Sequence, residues 1–86
     1  MADQTANAKV LYEAGTAEKI ILYQVKNVTS GDTFSVSDKF SLIKNVANVG
    51  TGGLSSNTVP TKSGTTVTFT IGAVDTIFVI VVGDAA

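Results

Sequence analysis

Seven carboxylates are the groups in this 86-residue chain best suited to acid–base work or to holding a hard cation: Asp3, Glu13, Glu18, Asp32, Asp38, Asp75 and Asp84. There is no histidine and no cysteine. A serine nucleophile therefore has no imidazole beside it, and an ordinary zinc site has no nitrogen or sulfur donor. The carboxylates fall mostly at ends and turns, where aspartate caps and hydrogen-bonds its own backbone. Asp32 and Asp38 flank one short strand and could share a calcium ion, but they lack the dense ligand spacing of a calcium loop. Val49-Gly50-Thr51-Gly52-Gly53 is glycine-rich enough to suggest a phosphate cradle. It has no Gly-Lys-Ser/Thr ending and no helix after it, so it reads as a connector. Tyr12, Tyr23, Phe34, Phe40, Phe69 and Phe78 sit mostly at positions expected to be core, not in an exposed row that would stack sugars or bases. Catalytic, cofactor-binding and metal-ligating residues are all expected to be none, and no cofactor is expected.

Charge narrows the partners. All six basic residues are lysines, spread without a cluster, and the formal net charge is -1. Nucleic-acid binders gather Lys and Arg on one face, so no nucleic-acid partner is expected. Near-zero net charge also removes the repulsion that keeps small proteins apart. The longest apolar run, residues 77–82, is far short of the about 20 residues that span a bilayer, so no membrane partner is expected either. Residues 1–8 are polar and carry Asp3, unlike a secretory signal, which points to a protein made in a cytoplasm.

The elements that must position these residues are strands. Valine and threonine each occur twelve times, a composition that suits pleated, half-buried surfaces. Turn signals recur at the short intervals of a sandwich or barrel. Residues 1–8 read as a flexible N-terminal arm, and 9–86 as a single β domain. Strands are expected at 9–13, 18–29, about 33–36, 42–49, 65–71 and 76–82, with a weak edge strand at 54–59 inside the loop 50–64. Ser37 to Ser41 reads as one helical turn, with Ser37 as cap and Phe40 plugging the core. The expected fold is all-β: a small antiparallel sandwich or barrel of about six to seven short strands with that one helical turn.

The last strand departs from alternation. Ile77, Val79 and Val81 occupy one face, Phe78, Ile80 and Val82 the other. Strands buried on both faces read as continuous apolar runs, and no amphipathic helix is present to cover the second side. Ile20 and Leu22 break the alternation of the second strand in the same way. A neighbouring subunit on that face is one covering; a strongly curved barrel wall under loops and the arm is the other. A chain this short buries only about 60% of its unfolded surface. Small folds usually add a disulfide, a metal or a partner, and association is the option left. Ile20, Leu22, Phe78, Ile80 and Val82 are the interface candidates, and residues 2–8 are expected to order only on binding.

A polar arm precedes Lys9-Val10-Leu11-Tyr12. The turn Ser30-Gly31-Asp32-Thr33 then leads to Val36-Ser37-Asp38-Lys39-Phe40. The strand Gly64-Thr65-Thr66-Val67-Thr68-Phe69-Thr70 precedes the apolar last strand ending at Gly83-Asp84. In this order of features the chain resembles the small capsid decoration, or cement, proteins of tailed bacteriophages, without the long extension that some of them use to lace neighbours together. The resemblance implies a structural virion protein that binds the outside of an assembled head, often as a trimer. Its partners would be itself and the major capsid protein or another virion protein, and its location the virion. Two alternatives stay open: another phage component, such as a tail, fibre or neck subunit, and a monomeric glycan-binding β module. An enzyme is not expected.

Overall fold

A computed structural model describes residues 2–51, 59–70 and 75–86. Among them are seven strands: β1 (Ala8–Gly15), β2 (Glu18–Val28), β3 (Thr33–Ser35), β4 (Phe40–Thr51), β5 (Thr61–Ser63), β6 (Thr66–Thr68) and β7 (Asp75–Ala85). The fold is all-β. One antiparallel sheet has the order β1-β2-β7-β4, and a smaller one the order β3-β6-β5.

Alternation builds the core. Ile21, Tyr23 and Val25 of β2, Ile77, Val79 and Val81 of β7, and Ile43 and Val46 of β4 all point to one side of the larger sheet and are buried. Phe34 of β3, Val67 of β6, and the adjoining Phe69 and Val36 meet them from the smaller sheet in one cluster. Phe34 lies between two rings, edge-on to Tyr23 at 5.2 Å and stacked on Phe69 at 5.5 Å, which locks the two sheets in register. Among the described residues the two ladders stay separate rather than closing into a barrel. They are joined at one rim by the Ile43 amide donating to the Gly64 carbonyl and at the other by Gln4, whose backbone amide donates to the Thr33 carbonyl of β3 and whose side-chain amide donates to the Asn27 carbonyl of β2.

Several expectations shift. The helical turn at Ser37–Ser41 is a single hydrogen-bonded turn closed on Val36: the amides of Lys39 and Phe40 both donate to its carbonyl. Ser37 does not cap it, and Phe40 already opens β4. Phe40 is buried, as a core plug should be. The helical element proper is a 3-10 turn at Thr5–Asn7. β5 lies within what reads as a loop, because Thr-Lys-Ser has no apolar periodicity to announce it. Residues 54–58 of the weak edge strand, and Ile71 at the end of the 65–71 strand, lie outside the described residues, while Val59 is exposed and in no strand.

Two glycines answer to backbone geometry. Gly15 ends β1 with φ at +98°, and a Cβ there would sit 2.0 Å from the Glu18 carbonyl oxygen, so the tight β1–β2 turn requires glycine. Gly83 lies in the central strand, where a Cβ would meet the Leu42 carbonyl oxygen at 2.1 Å. The approach falls where β4 is irregular, with register shifts between Phe40 and Leu42 and between Ile43 and Asn45 on either side of it.

Candidate interface

The outward side of the four-stranded sheet follows from the pairing register, because residues opposite one another share a face. Three cross-strand rows make its centre. Ala14, Ile20, Val82 and Asn45 form one; Tyr12, Leu22, Ile80 and Ala47 the next; Lys9, Gln24, Phe78 and Gly50 the third. All five sequence candidates, Ile20, Leu22, Phe78, Ile80 and Val82, therefore lie on one surface. The smaller sheet covers only the opposite side. Ile20 is 48% exposed, and Leu22, Phe78, Ile80 and Val82 are half-buried between their strand neighbours.

The surface is larger than those five. Tyr12, expected in the core, is 61% exposed on it, and Leu42 at its end is 47% exposed. Tyr12 was illegible because the register shift in β1 between Val10 and Tyr12 reverses the faces of the residues beyond it. A bulge leaves no mark on a simple alternation. Gly50 lies opposite Phe78, and a Cβ placed there would meet the ring edge at 3.8 Å, an ordinary contact.

Charges frame the apolar centre at both ends. At one end Lys44 bridges the Glu18 carboxylate at 3.0 Å and the Asp84 carboxylate at 3.2 Å. Glu18, and then Asp84, hold the Lys44 ammonium above its ordinary pKa. Towards the other end Lys9, paired with Gln24, stands at the β1 edge of the third row. Glu13 stands apart, turned towards the inner side by the β1 bulge and paired with Lys19 at 2.5 Å and Lys39 at 3.4 Å. The Lys19 hydrogen bond is the main reason its carboxyl titrates below the usual range.

A second polar construction lies at the far rim. Asp32 is 3% exposed, and its carboxylate accepts hydrogen bonds from the Ala2 amide (2.8 Å), the Thr29 amide (2.9 Å) and the Gln4 side-chain amide (2.9 Å). Those donors, led by the Ala2 and Thr29 amides, depress its pKa. Asp3 forms a parallel bridge to Thr33, the Gln4 amide donates to the Thr33 carbonyl, and the Thr33 amide to the Ala2 carbonyl. Residues 2–4 are thus held against β3 by an isolated parallel bridge and its flanking hydrogen bonds. The segment expected to order only on binding is already docked in the isolated chain, because a buried carboxylate needs its N–H donors. The same contacts engage both oxygens of Asp32, the residue that could have shared a calcium ion with Asp38. Among the described residues no group of three or more acidic side chains is gathered in a metal-binding arrangement, and no helix is long and apolar enough to cross a membrane.

Comparison with protein-family models, with curated proteins and with solved structures returned no match.

Proposed function

We propose that this chain is a structural subunit of an assembled particle, a capsid decoration protein, which attaches through the outward face of its four-stranded sheet. The observation that carries this reading is the apolar centre of that face, Ile20, Leu22, Phe78, Ile80 and Val82 with Tyr12 beside them, on a sheet of which, among the described residues, only the other side is packed by the smaller sheet. Apolar surface contiguous across three rows, with charges only at its ends, is the composition of an interface core with a polar rim. The resemblance to phage decoration proteins supplies the kind of partner, an assembled head. Many copies on a lattice turn a modest contact into firm attachment. The irregular β4 rim supports attachment by the face over edge-to-edge polymerisation of the kind a filament subunit would use.

Mixing the purified chain with phage heads that lack their decoration protein, followed by sedimentation, tests the proposal. The chain should pellet with the heads, and Ile80→Lys should stay in the supernatant while keeping its strand content by circular dichroism. A wild-type chain that never pellets with heads ends the decoration proposal.

A further inference from the structure

We infer that Asp32 and the free edge of β3 form a docking site for an extended segment, and that residues 2–7 of a second copy can take the place there of this chain's own. The site lies at the far rim, apart from the outward face of the four-stranded sheet.

The site is built without the segment that fills it. The Asp32 amide donates to the Thr29 carbonyl at 3.0 Å, and the Phe69 amide to the Asp32 carbonyl at 2.9 Å. The Thr29 amide fixes one carboxylate oxygen. None of these bonds involves residues 2–7, and the buried hydrophobic cluster contains no member of that segment. When the segment leaves, a buried carboxylate is short of two donors, beside the amide and carbonyl of Thr33 and the amide of Ser35. Groups of this kind are costly to leave unmet. β6 already occupies the other side of β3, so the site can be refilled only from the same rim.

The segment is shaped before it docks. Asp3 Oδ1 accepts hydrogen bonds from the Thr5 amide and hydroxyl. The Gln4 carbonyl accepts from the Asn7 amide, and Gln4 Oε1 from the Asn7 side-chain amide. These bonds lie wholly within residues 3–7 and travel with them. A preorganised ligand meeting a preorganised site loses little freedom on docking. Within residues 2–7 only Gln4 is buried, and the 3-10 turn that leads into β1 buries no side chain. Release therefore exposes almost no apolar surface, and local opening of this kind costs far less than global unfolding.

A second copy offers identical contacts. Its Ala2 amide and Gln4 side chain would meet Asp32, and its Asp3 would lie beside Thr33. Gln4 sets the specificity, because its Nε2 donates both to Asp32 Oδ2 and to the Asn27 carbonyl, which a side chain without an amide cannot do. The chain's own segment has only the advantage of its tether. That advantage is an effective concentration, and copies crowded together offset it. Exchange of an identical element is a low-cost way to link subunits.

Cysteine trapping on full chains tests this, because the sequence has no cysteine of its own and Asp3 and Thr33 are bridge partners. A dilute chain carrying both Asp3→Cys and Thr33→Cys should close a disulfide on itself; failure to close overturns the docked position of the segment. A concentrated mixture of Asp3→Cys chains with Thr33→Cys chains should give disulfide-linked heterodimers, resolved by mass. Their yield should be several-fold above that of Asp3→Cys mixed with Lys62→Cys, whose cysteine stands on the far edge of the same sheet. Gln4→Ala added to the Asp3→Cys chain, or Asp32→Ala added to the Thr33→Cys chain, should bring the yield down to that control. A yield no higher than the control, or one untouched by Gln4→Ala, overturns exchange and leaves the segment bound in its own copy alone. Pelleting with heads, and its loss through Ile80→Lys, reads the outward face separately, so the two proposals fail independently.

Discussion

The two faces of the β1-β2-β7-β4 sheet are made of similar side chains in different surroundings. On β7, Ile77, Val79 and Val81 are wholly buried against the smaller sheet, whereas Phe78, Ile80 and Val82, one residue out of phase, keep part of their surface in water. On β2 the same contrast separates Ile21 from Ile20. An alternating polar face would have sufficed for solubility. The outer side chains are at most half-buried among their strand neighbours, so they add less to the fold than the inner row, and the proposed attachment would draw on the apolar surface they leave exposed.

The sharpest way to break this comparison is to place one carboxylate on either side. Val79→Asp puts an unpaired charge into the core and should cost more than about 4 kcal/mol, enough to unfold so small a domain. Ile80→Asp directs its charge outward and should cost the fold only about 1 kcal/mol while preventing pelleting with heads. Urea melts with sedimentation of both variants measure the difference, and equal losses would erase the distinction between the faces. Next in size is Gly83→Ala, where the added methyl meets the Leu42 carbonyl of the bulged neighbour. It should lower stability by about 3 kcal/mol through displacement of β4 from the central strand. An unaltered melting curve would mean that β4 yields easily.

Polar groups on the enclosed side refine the contrast further. Asp32→Asn keeps the shape but turns an amide NH2 towards N–H donors, and should cost about 2 kcal/mol, with faster hydrogen exchange at residues 2–4 and Thr33. The acid limb follows from the same contacts. Because the folded-state pKa of Asp32 lies below its unfolded value of about 3.9, its contribution is fully present above that value. It is lost as pH falls through the lower, folded one. Wild type should therefore lose more stability than Asp32→Asn between about pH 5 and pH 2. The smallest effect has the opposite sign. The Tyr23 hydroxyl is buried with no hydrogen-bond partner among the described residues. Burial, with Asp38 and Glu13 nearby, pushes its pKa well above the ordinary value. Tyr23→Phe removes the unmet hydroxyl and should be neutral or stabilising by up to about 1 kcal/mol in a denaturant melt. Its ring contacts with Phe34 should be unchanged.

Legibility in the sequence followed side-chain periodicity. β2, β6 and β7 were visible because apolar groups recur every second residue or run without a break, and the same signal placed Ile20, Leu22, Phe78, Ile80 and Val82 on one face while missing Tyr12 and Leu42. What stayed hidden was decided by backbone pairing. The β1 bulge that turns Tyr12 outward, the three polar residues of β5, and the close approach of Leu42 to Gly83 have no periodic signature. The Asp32 clasp was read as an ordinary turn aspartate because Ser30-Gly31-Asp32 is indeed a turn. Its grip on Ala2 and Gln4 depends on the chain returning across nearly thirty positions, which local pattern cannot reveal. Which chemistry the outward patch serves is a matter of its partner, and only its shape and charge are written in the strand.

The position of β7 between β2 and β4 has a kinetic side. Its Thr76-to-Val82 stretch, β-branched, uncharged and free of proline, is the segment of this chain best suited to stacking into a fibril. It never lies at a sheet edge: β2 takes one side and β4 the other. Both flanking strands precede it in the chain, so a growing polypeptide has the two halves of the slot made before the adhesive strand leaves the ribosome. Closing that slot means joining residues as far apart as Ile20 and Val82, a slow kind of step. The hazardous interval in the life of this molecule is therefore the time between release of the last strand and its insertion, when crowding and temperature decide between a finished subunit and a clump.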